Sequence, residues 1–198
     1  VYSGALNNNL IKFPTNEKTI LSLNDLSNRR GTYMLSKIYG EAISNFSGLP
    51  FTIFRPHNVF GERMGMSHVI PELTKKILNK KQKLFVNNSN HSRAFCYIGD
   101  AIKMIILSMN TKKTIGKTYN LGDPRNEIKI IDLAKNILKI CKINKKIVKI
   151  KSNNNSPRRR LPSLKKYLAD INFKFSSSYS KNLENTVNWY RKKLISWK

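Results

Sequence analysis

The sequence predicts an α/β protein in which helices cover both faces of a mostly parallel sheet. Short apolar runs rich in β-branched and aromatic residues, such as 50–55 and 118–121, alternate with longer amphipathic segments, such as 32–47 and 129–142. This alternation is typical of strands joined by crossover helices, which leave successive strands parallel. With 198 residues, 40% of them hydrophobic, the chain is long enough to bury a core and differs in composition from disordered sequences.

The first part of the chain is predicted to contain a strand end, a long loop and a helix. Residues 1–3 are predicted to be the end of a strand, and frequent Asn, Pro and Gly residues predict a loop over 4–31. The helix predicted over 32–47 begins with Thr32 as its cap and ends at Gly48. The buried strand 50–55 follows directly.

The rest of the chain continues the alternation of strands and helices. The predicted strands are 83–86, 93–98, 118–121 and 146–150, and the predicted helices are 68–79, 99–109, 129–142, 163–169 and 181–194. The polar stretch 151–160, which contains a run of arginines, is predicted as a loop.

The chain is strongly basic, with 37 Lys and Arg residues against 11 Asp and Glu and a net charge of +26. Such a charge would favour binding to nucleic acid or to an anionic membrane. The basic residues are spread along the chain, however, and Asn runs such as 7–9 and 153–155 indicate a general bias toward Lys, Asn and Ile. We therefore expect no nucleic-acid partner, although the charge would attract a polyanionic substrate.

The sequence lacks the patterns of export, membrane insertion and metal binding. No run approaches the roughly 20 apolar residues of a membrane span, and the opening residues lack the layout of a signal peptide. Cys96 and Cys141 are isolated thiols in apolar surroundings, and His68 and His91 have no partners at ligand spacing. We expect a cytoplasmic protein with reduced cysteines, no membrane contact and no metal site.

The clearest chemical signal is the pair Tyr33 and Lys37, which lie one turn apart on the predicted helix 32–47. A free phenol has a pKa of about 10 and is a poor base at neutral pH, whereas a nearby ammonium group stabilises a phenolate. Such a pair can exchange a proton with a sugar hydroxyl. The spacing also arises by chance on many helices, so the surrounding motifs decide its meaning.

Those motifs form an ordered series. In chain order they are Val1–Gly4, Tyr33–Lys37, Gly40–Glu41, Gly48–Pro50, Phe54–Arg63, Val69–Pro71, Arg93–Ala101, Tyr119–Gly122 and Val187–Tyr190. The series resembles the extended short-chain dehydrogenase/reductase family of NAD-dependent nucleotide-sugar epimerases and dehydratases. The resemblance implies a partial Rossmann-like doubly wound parallel sheet with a smaller C-terminal α/β substrate lobe. Residues 1–62 would be the C-terminal remnant of the NAD-binding domain, and 63–198 mainly the substrate lobe, with some segments returning to the sheet.

The resemblance also implies roles on the cofactor side. Tyr33 is expected to act as the acid/base, and Lys37 is expected to hold the nicotinamide ribose of NAD and to tune Tyr33. Pro56, at the end of a strand, matches a position beside the nicotinamide. His57 follows it, and we leave open whether His57 packs and hydrogen-bonds in the protein or contacts substrate.

On the substrate side, the resemblance implies contacts with a nucleotide-diphosphate sugar. Asn58 matches a residue that contacts the diphosphate or the sugar, although it could simply cap a turn. Arg93 matches a residue that binds the diphosphate, where a guanidinium fork suits two phosphate oxygens, although it could also form a surface salt bridge. One residue of the run Arg158–Arg160, with Arg159 as our choice, is expected to do the same, unless the run is a solvated loop.

Two expected elements of the family are missing from the sequence. The Gly-rich phosphate turn and the catalytic Ser or Thr would both precede Val1, and Ser3 stands where a Gly is usual. We therefore expect the 198 residues alone to bind NAD poorly and to be inactive.

The sequence favours an epimerase only weakly among the reactions of the family. A 4,6-dehydratase or a uronate decarboxylase stays open, and so does a non-catalytic basic protein that binds nucleic acid or another protein. The resemblance implies a homodimer through the helix that carries Tyr33, with Ile38, Ala42 and Phe46 as candidate contacts, although the same residues could face the sheet.

Overall fold

A computed structural model describes residues 11–21, 29–151, 156–175 and 178–196. The helices are α1 (Arg29–Phe46), α2 (Val69–Leu78), α3 (Ile98–Met109), α4 (Ile130–Cys141), α5 (Lys165–Asp170) and α6 (Tyr179–Ser196). The strands are β1 (Thr52–Pro56), β2 (Val59–Phe60), β3 (Lys83–Asn87), β4 (Ser92–Ala94), β5 (Cys96–Tyr97), β6 (Lys117–Leu121), β7 (Glu127–Lys129), β8 (Lys146–Ile150) and β9 (Arg159–Arg160). The strand end predicted at 1–3 lies outside the described residues. Within the described ranges, no helix is long and apolar enough to cross a bilayer.

The strand pairs confirm the predicted α/β class with parallel sheets. Strand β1 pairs in parallel with β6, β2 with β5, β3 with β8 and β4 with β9. The pair of β4 and β7 is antiparallel. Parallel pairs need long crossover connections, and the helices between the strands provide them.

One hydrophobic core joins β1 and β6 to α3 and α5. Its buried residues include Met104, Tyr119, Leu121 and Tyr167. The rings of Tyr119 and Tyr167 meet edge to face with centroids 5.5 Å apart, and the Tyr167 hydroxyl donates to the Met104 carbonyl at 2.9 Å. Because the hydroxyl is paired, these aromatic residues can be buried without the cost of an unsatisfied polar group.

A second, larger core lies where α2, α4 and α6 meet β3. Helix α4 shows how the sequence builds it, because its apolar residues recur at three- and four-residue spacing and form one buried stripe. The buried residues of this core include Ile70, Ile77, Leu84, Ile130, Leu133, Ala134, Ile137, Cys141, Leu183 and Val187.

Three predictions of local structure were wrong. The strand predicted over 93–98 is two short strands, because β4 pairs with β7 and β9 whereas β5 pairs with β2. The loop predicted over 151–160 contains β9, which adds to the edge of β4. Helix α1 begins at Arg29, so Thr32 lies inside the helix and does not cap it.

Candidate functional site

Helix α1 places Tyr33 and Lys37 side by side on its surface. The Nζ atom of Lys37 lies 5.4 Å from the centroid of the Tyr33 ring, which follows from their spacing of four residues. Tyr33 is 52% exposed, so a ligand could reach its hydroxyl. The two side chains thus present a phenol hydroxyl and an ammonium group on one surface of the helix.

Strand β1 ends at Pro56, and the buried side chain of His57 follows it. The Nε2 of His57 lies 3.2 Å from the Oδ1 of Asn120. We assign the proton to Nε2, because the Asn120 amide nitrogen already donates to the carbonyls of Thr15 and Ser163. Burial lowers the pKa of His57 to about 4, so the ring is neutral at pH 7. The hydrogen-bonding role considered from the sequence is therefore present.

Asn58 connects the end of β1 with the neighbouring strands. Its φ angle of +43° lies in the left-handed region, which Asn adopts more readily than most residues. Its Nδ2 donates to the Ala94 carbonyl at 3.4 Å, and its own carbonyl accepts from the Cys96 amide at 3.2 Å. Asn58 therefore shapes a turn, as the sequence left open, and it also lines a cavity.

That cavity has a volume of about 340 Å³, within the range of roughly 300–1,000 Å³ for small-molecule sites. Val69, Leu73, Val86 and Ile130 give it apolar surface, and polar and charged residues supply the rest. These are the acidic Glu72 together with Asn58, Ser67, His68, Lys76, Asn87, Asn88, His91, Arg93, Ser156 and Arg160. Apolar surface next to several cations suits a ligand with a flat ring and an anionic group.

Arg93 is almost fully buried, with 8% of its surface exposed. Its Nη1 donates to the carbonyls of Ser92 at 2.7 Å and Arg158 at 3.3 Å, and its Nη2 donates to the Ser156 hydroxyl at 2.9 Å. These bonds hold the guanidinium group in one orientation at the cavity. Arg93 is thus not a surface salt-bridge residue, which was the alternative to a ligand-binding role.

The arginines of β9 point to opposite sides, as successive residues of a strand do. Arg159 forms a two-pronged ion pair with Glu127, with both N–O distances 2.7 Å. Hydrogen bonds from Arg159, and also from Ser92, lower the pKa of Glu127. Arg160, in contrast, lines the cavity and pairs in register with Arg93. The substrate role of Arg159 stays a prediction, and Arg160 is the arginine of the run that reaches the cavity.

His91 also lines the cavity, although no ligand-binding role was predicted for it from the sequence. Its Nδ1 is buried and has no hydrogen-bond partner among the described residues. Burial and the neighbouring Arg93, Arg158 and Arg160 lower its pKa. A signal was present in the sequence, because His91 lies two residues before Arg93 and residues at that spacing share one side of an extended chain.

The predicted site residues thus fall into two groups. Asn58 and Arg93 meet at the cavity. The others lie outside its lining, on α1 (Tyr33, Lys37), at the end of β1 (Pro56) and on β9 (Arg159). Across the described ranges, no group of three or more His, Cys, Asp or Glu residues could hold a metal ion.

A parallel α/β fold with a cavity beyond the carboxyl end of a strand is typical of ligand-binding α/β proteins. The sequence profile of the NAD dependent epimerase/dehydratase family matches residues 8–122, more than half of the chain. The chain therefore belongs to this family, as its ordered motifs predicted. The match includes the Tyr33 helix and Arg93 and ends before the arginine run.

Curated relatives agree with this family. UDP-N-acetyl-alpha-D-glucosaminuronate decarboxylase of Bacillus cytotoxicus is 26% identical over 174 residues, which cover 82% of the chain and 54% of that protein. UDP-D-apiose/UDP-D-xylose synthase 1 of Arabidopsis thaliana is 32% identical over 109 residues, which cover 49% of the chain and 28% of that protein. The chain thus spans between about a quarter and about half of the length of these relatives.

Solved structures show the same fold. An epimerase of Methanothermobacter thermautotrophicus superimposes with a TM-score of 0.82 at 21% identity, covering 99% of the chain and 60% of that protein. UDP-glucuronic acid 4-epimerase of Bacillus cereus, in complex with UDP-glucuronic acid and NAD, gives a TM-score of 0.81 at 22% identity and covers 96% and 60%. These similarities confirm the Rossmann-like α/β fold that the motifs predicted.

Proposed function

We propose that the chain supplies the substrate side and part of the cofactor side of an NAD-dependent nucleotide-sugar enzyme, with epimerisation as the favoured reaction. The observation that carries the proposal is the cavity at which Arg93 and Arg160 meet, beyond the end of the strand that adjoins the Tyr33 helix. Membership of the NAD dependent epimerase/dehydratase family supports it. So do relatives named for UDP- and dTDP-sugars.

The cavity fits a nucleoside diphosphate. The guanidinium groups of Arg93 and Arg160 place two cations at the cavity that can attract and hydrogen-bond phosphate oxygens. The Nδ1 of His91, which has no partner among the described residues, offers a further polar contact. Leu73 and Val86 give apolar surface for a base or a ribose. We assign the second phosphate contact to Arg160 on this geometry and keep Arg159 as the competing prediction.

The residues of α1 and β1 fit a nicotinamide cofactor. Tyr33 and Lys37 present a hydroxyl and an ammonium group on one accessible helix surface. Pro56 lies at the carboxyl end of a parallel strand, where α/β sheets bind ligands. Lys37 would bind the ribose hydroxyls, and Pro56 would pack beside the nicotinamide. NAD would supply the acceptor and donor of a hydride.

In the proposed reaction, Tyr33 removes the proton from a sugar hydroxyl as the carbon that bears it is oxidised, and later returns it. Lys37 stabilises the phenolate form of Tyr33 that accepts this proton, and Asn58 orients the sugar or its diphosphate. Reduction of the keto-sugar to the inverted alcohol is epimerisation. Loss of water or of carbon dioxide before that reduction would make the enzyme a dehydratase or a decarboxylase.

The test is turnover of UDP-sugars with NAD by the native protein. Tyr33→Phe should lower kcat by at least about 10²-fold, because it removes the acid/base, while UDP affinity stays unchanged. Tyr39→Phe is the matched control, since Tyr39 is also exposed on α1. Full turnover by Tyr33→Phe, or equal losses in both variants, would overturn the proposal.

The domain division and the homodimer are further parts of the proposal. The core that contains Tyr119 and Tyr167 packs against Phe54 of β1, which supports segments of 63–198 returning to the sheet. An exposed apolar stripe on α1 supports a dimer contact. It consists of Leu35, Tyr39, Ile43 and Phe46, and we call it the α1 stripe.

A further inference from the structure

The segment 11–21 is fixed to the stretch of chain that follows Arg160. Thr15 is buried and forms a parallel bridge with Pro162. Its amide donates to the Leu161 carbonyl at 2.8 Å, and its carbonyl accepts from the Ser163 amide at 2.7 Å. Any movement of the chain just after Arg160 must therefore be followed by Thr15.

Glu17, two residues further on, joins this segment to both strands of the β1–β6 sheet. Its Oε1 accepts from the amide of Asn120 on β6 at 2.8 Å. Its carbonyl accepts from Nη1 of Arg55 on β1 at 2.9 Å. One residue in a predicted loop thus holds two strands by bonds from its side chain and its backbone.

Arg55 carries the connection onward to helix α1. Its Nε and Nη2 donate to the two carboxylate oxygens of Glu41, both at 2.8 Å. The two side chains are only 12% and 13% exposed, so this charge-assisted pair is well shielded from water. Because Glu41 lies one turn beyond Lys37 on α1, the pair fixes that helix relative to β1.

Asn120 connects the same segments a second time, through its side chain. Its Nδ2 donates to the carbonyls of Thr15 at 3.0 Å and Ser163 at 3.2 Å, and its Oδ1 accepts from His57. Asn120 is 2% exposed, so its bonds cannot be replaced freely by water. In a buried network of this kind, removal of one member changes the energy of the others.

We infer that Glu17 is a positioning residue that couples the Arg160 side of the cavity to the helix that carries Tyr33 and Lys37. The inference rests on the proposed function, which gives Tyr33 and Arg160 their roles. Phosphates bound at Arg160 would order the stretch of chain that follows it. That order would pass to α1 through the bonded residues Thr15, Glu17, Arg55 and Glu41. Such coupling is reciprocal, so order in α1 also favours binding at the cavity.

The first experiment measures amide hydrogen exchange without ligand. Glu17→Ala keeps the carbonyl that accepts from Arg55 but removes the side-chain bond from the Asn120 amide that holds this carbonyl in place. Losing that charge-assisted hydrogen bond should speed exchange in α1 by about tenfold. Exchange in α2, α4 and α6 should not change. Glu17→Gln should restore the slower rate, because its amide oxygen still accepts from Asn120. Lys18→Ala, at an exposed neighbour, is the control. Equal α1 exchange in Glu17→Ala and the unmodified chain would overturn the inference.

The second experiment adds UDP and follows the same peptides. UDP should slow exchange at 156–163 and in α1 of the unmodified chain, but only at 156–163 in Glu17→Ala. Protection of α1 in both proteins, or protection of 156–163 alone in both, would contradict the coupling. If neither UDP nor another nucleoside diphosphate protects 156–163, the proposed function of the cavity fails. The ligand-free exchange then decides on its own whether Glu17 positions α1.

Discussion

Helices α1 and α4 are both amphipathic, but the chain buries them to very different extents. Helix α4 has 12 residues and buries five of them: Ile130, Leu133, Ala134, Ile137 and Cys141. Helix α1 has 18 residues, yet Met34 is the one large apolar side chain that is buried among its described residues. The α1 stripe is between 47% and 90% exposed.

The comparison distinguishes two ways in which a helix is held in place, by apolar packing and by polar contacts. Helix α4 is held by packing in a core to which α2, α6 and β3 also contribute. Helix α1 relies far more on polar contacts, of which the shielded pair of Glu41 and Arg55 is the best defined. An amphipathic pattern thus predicts that a helix forms, but it does not show whether the apolar face of that helix is buried in a core.

The largest expected effect is a difference in stability between equivalent leucines of the two helices. Leu133→Ala should lower the free energy of unfolding by about 3–5 kcal/mol, because it leaves a cavity in a closed core. Leu35→Ala, on the exposed side of α1, should change it by less than about 0.5 kcal/mol. Urea unfolding of both variants measures the difference. Similar losses in the two would mean that α1 is covered as fully as α4.

A smaller effect is expected at His57, the buried residue that follows β1 and bonds to Asn120 of β6. Its pKa of about 4 in the folded state is below the ordinary value of 6.5, so the neutral ring stabilises the fold. This stability is complete above pH 6.5 and is lost as the pH falls from 6.5 to 4, by about 3 kcal/mol in all.

The measurement is urea unfolding between pH 7 and pH 4. His57→Gln can still donate to Asn120 but cannot be protonated. Over this pH range, the free energy of unfolding of the variant should therefore fall by about 3 kcal/mol less than that of the unmodified protein. Carboxylates and His91 titrate in both proteins and cancel in the comparison. Parallel pH profiles for the two proteins would show that burial of a neutral His57 contributes nothing.

The two arginines of β9 give the next test, within the cavity region. Arg160→Met should raise the Kd for UDP about 10- to 100-fold, since it removes a charged hydrogen-bond donor worth about 1.5–3 kcal/mol. Arg159→Met should change it less than about threefold, because Arg159 faces Glu127. Isothermal titration calorimetry at one fixed salt concentration measures both. The reverse order would support the prediction made for Arg159 from the sequence.

Strongly periodic segments were predictable, and very short strands were not. Strand β8 was predicted over the residues that form it, and α4 was predicted to within one residue at each end. Strands β2 and β9 have two residues each, too few to show a period of two. Their conformation comes from the strands beside them, and a local pattern cannot carry that information.

The candidate site shows the same limit. Motif order was enough to select Asn58 and Arg93, which line the cavity. To choose between Arg159 and Arg160, one must know to which side of the strand each side chain points. The sequence could not show this, because the strand was predicted as a loop. The bond between Glu17 and Asn120 joins residues 103 positions apart, and no spacing rule connects them.

The smallest effect on stability, and the sharpest test of the comparison, is expected at the end of the α1 stripe. Phe46 is 90% exposed, so Phe46→Ser should change the free energy of unfolding of the monomer by less than about 0.5 kcal/mol. If α1 pairs with a second copy, the same change should shift the mass measured by light scattering toward the monomer, because an aromatic contact is lost. Met109→Ser, at an 80% exposed position on α3, should leave the mass unchanged. A dimer that survives Phe46→Ser and dissociates with Met109→Ser would place the contact on α3. A protein that is monomeric throughout would show that the α1 stripe forms no dimer contact.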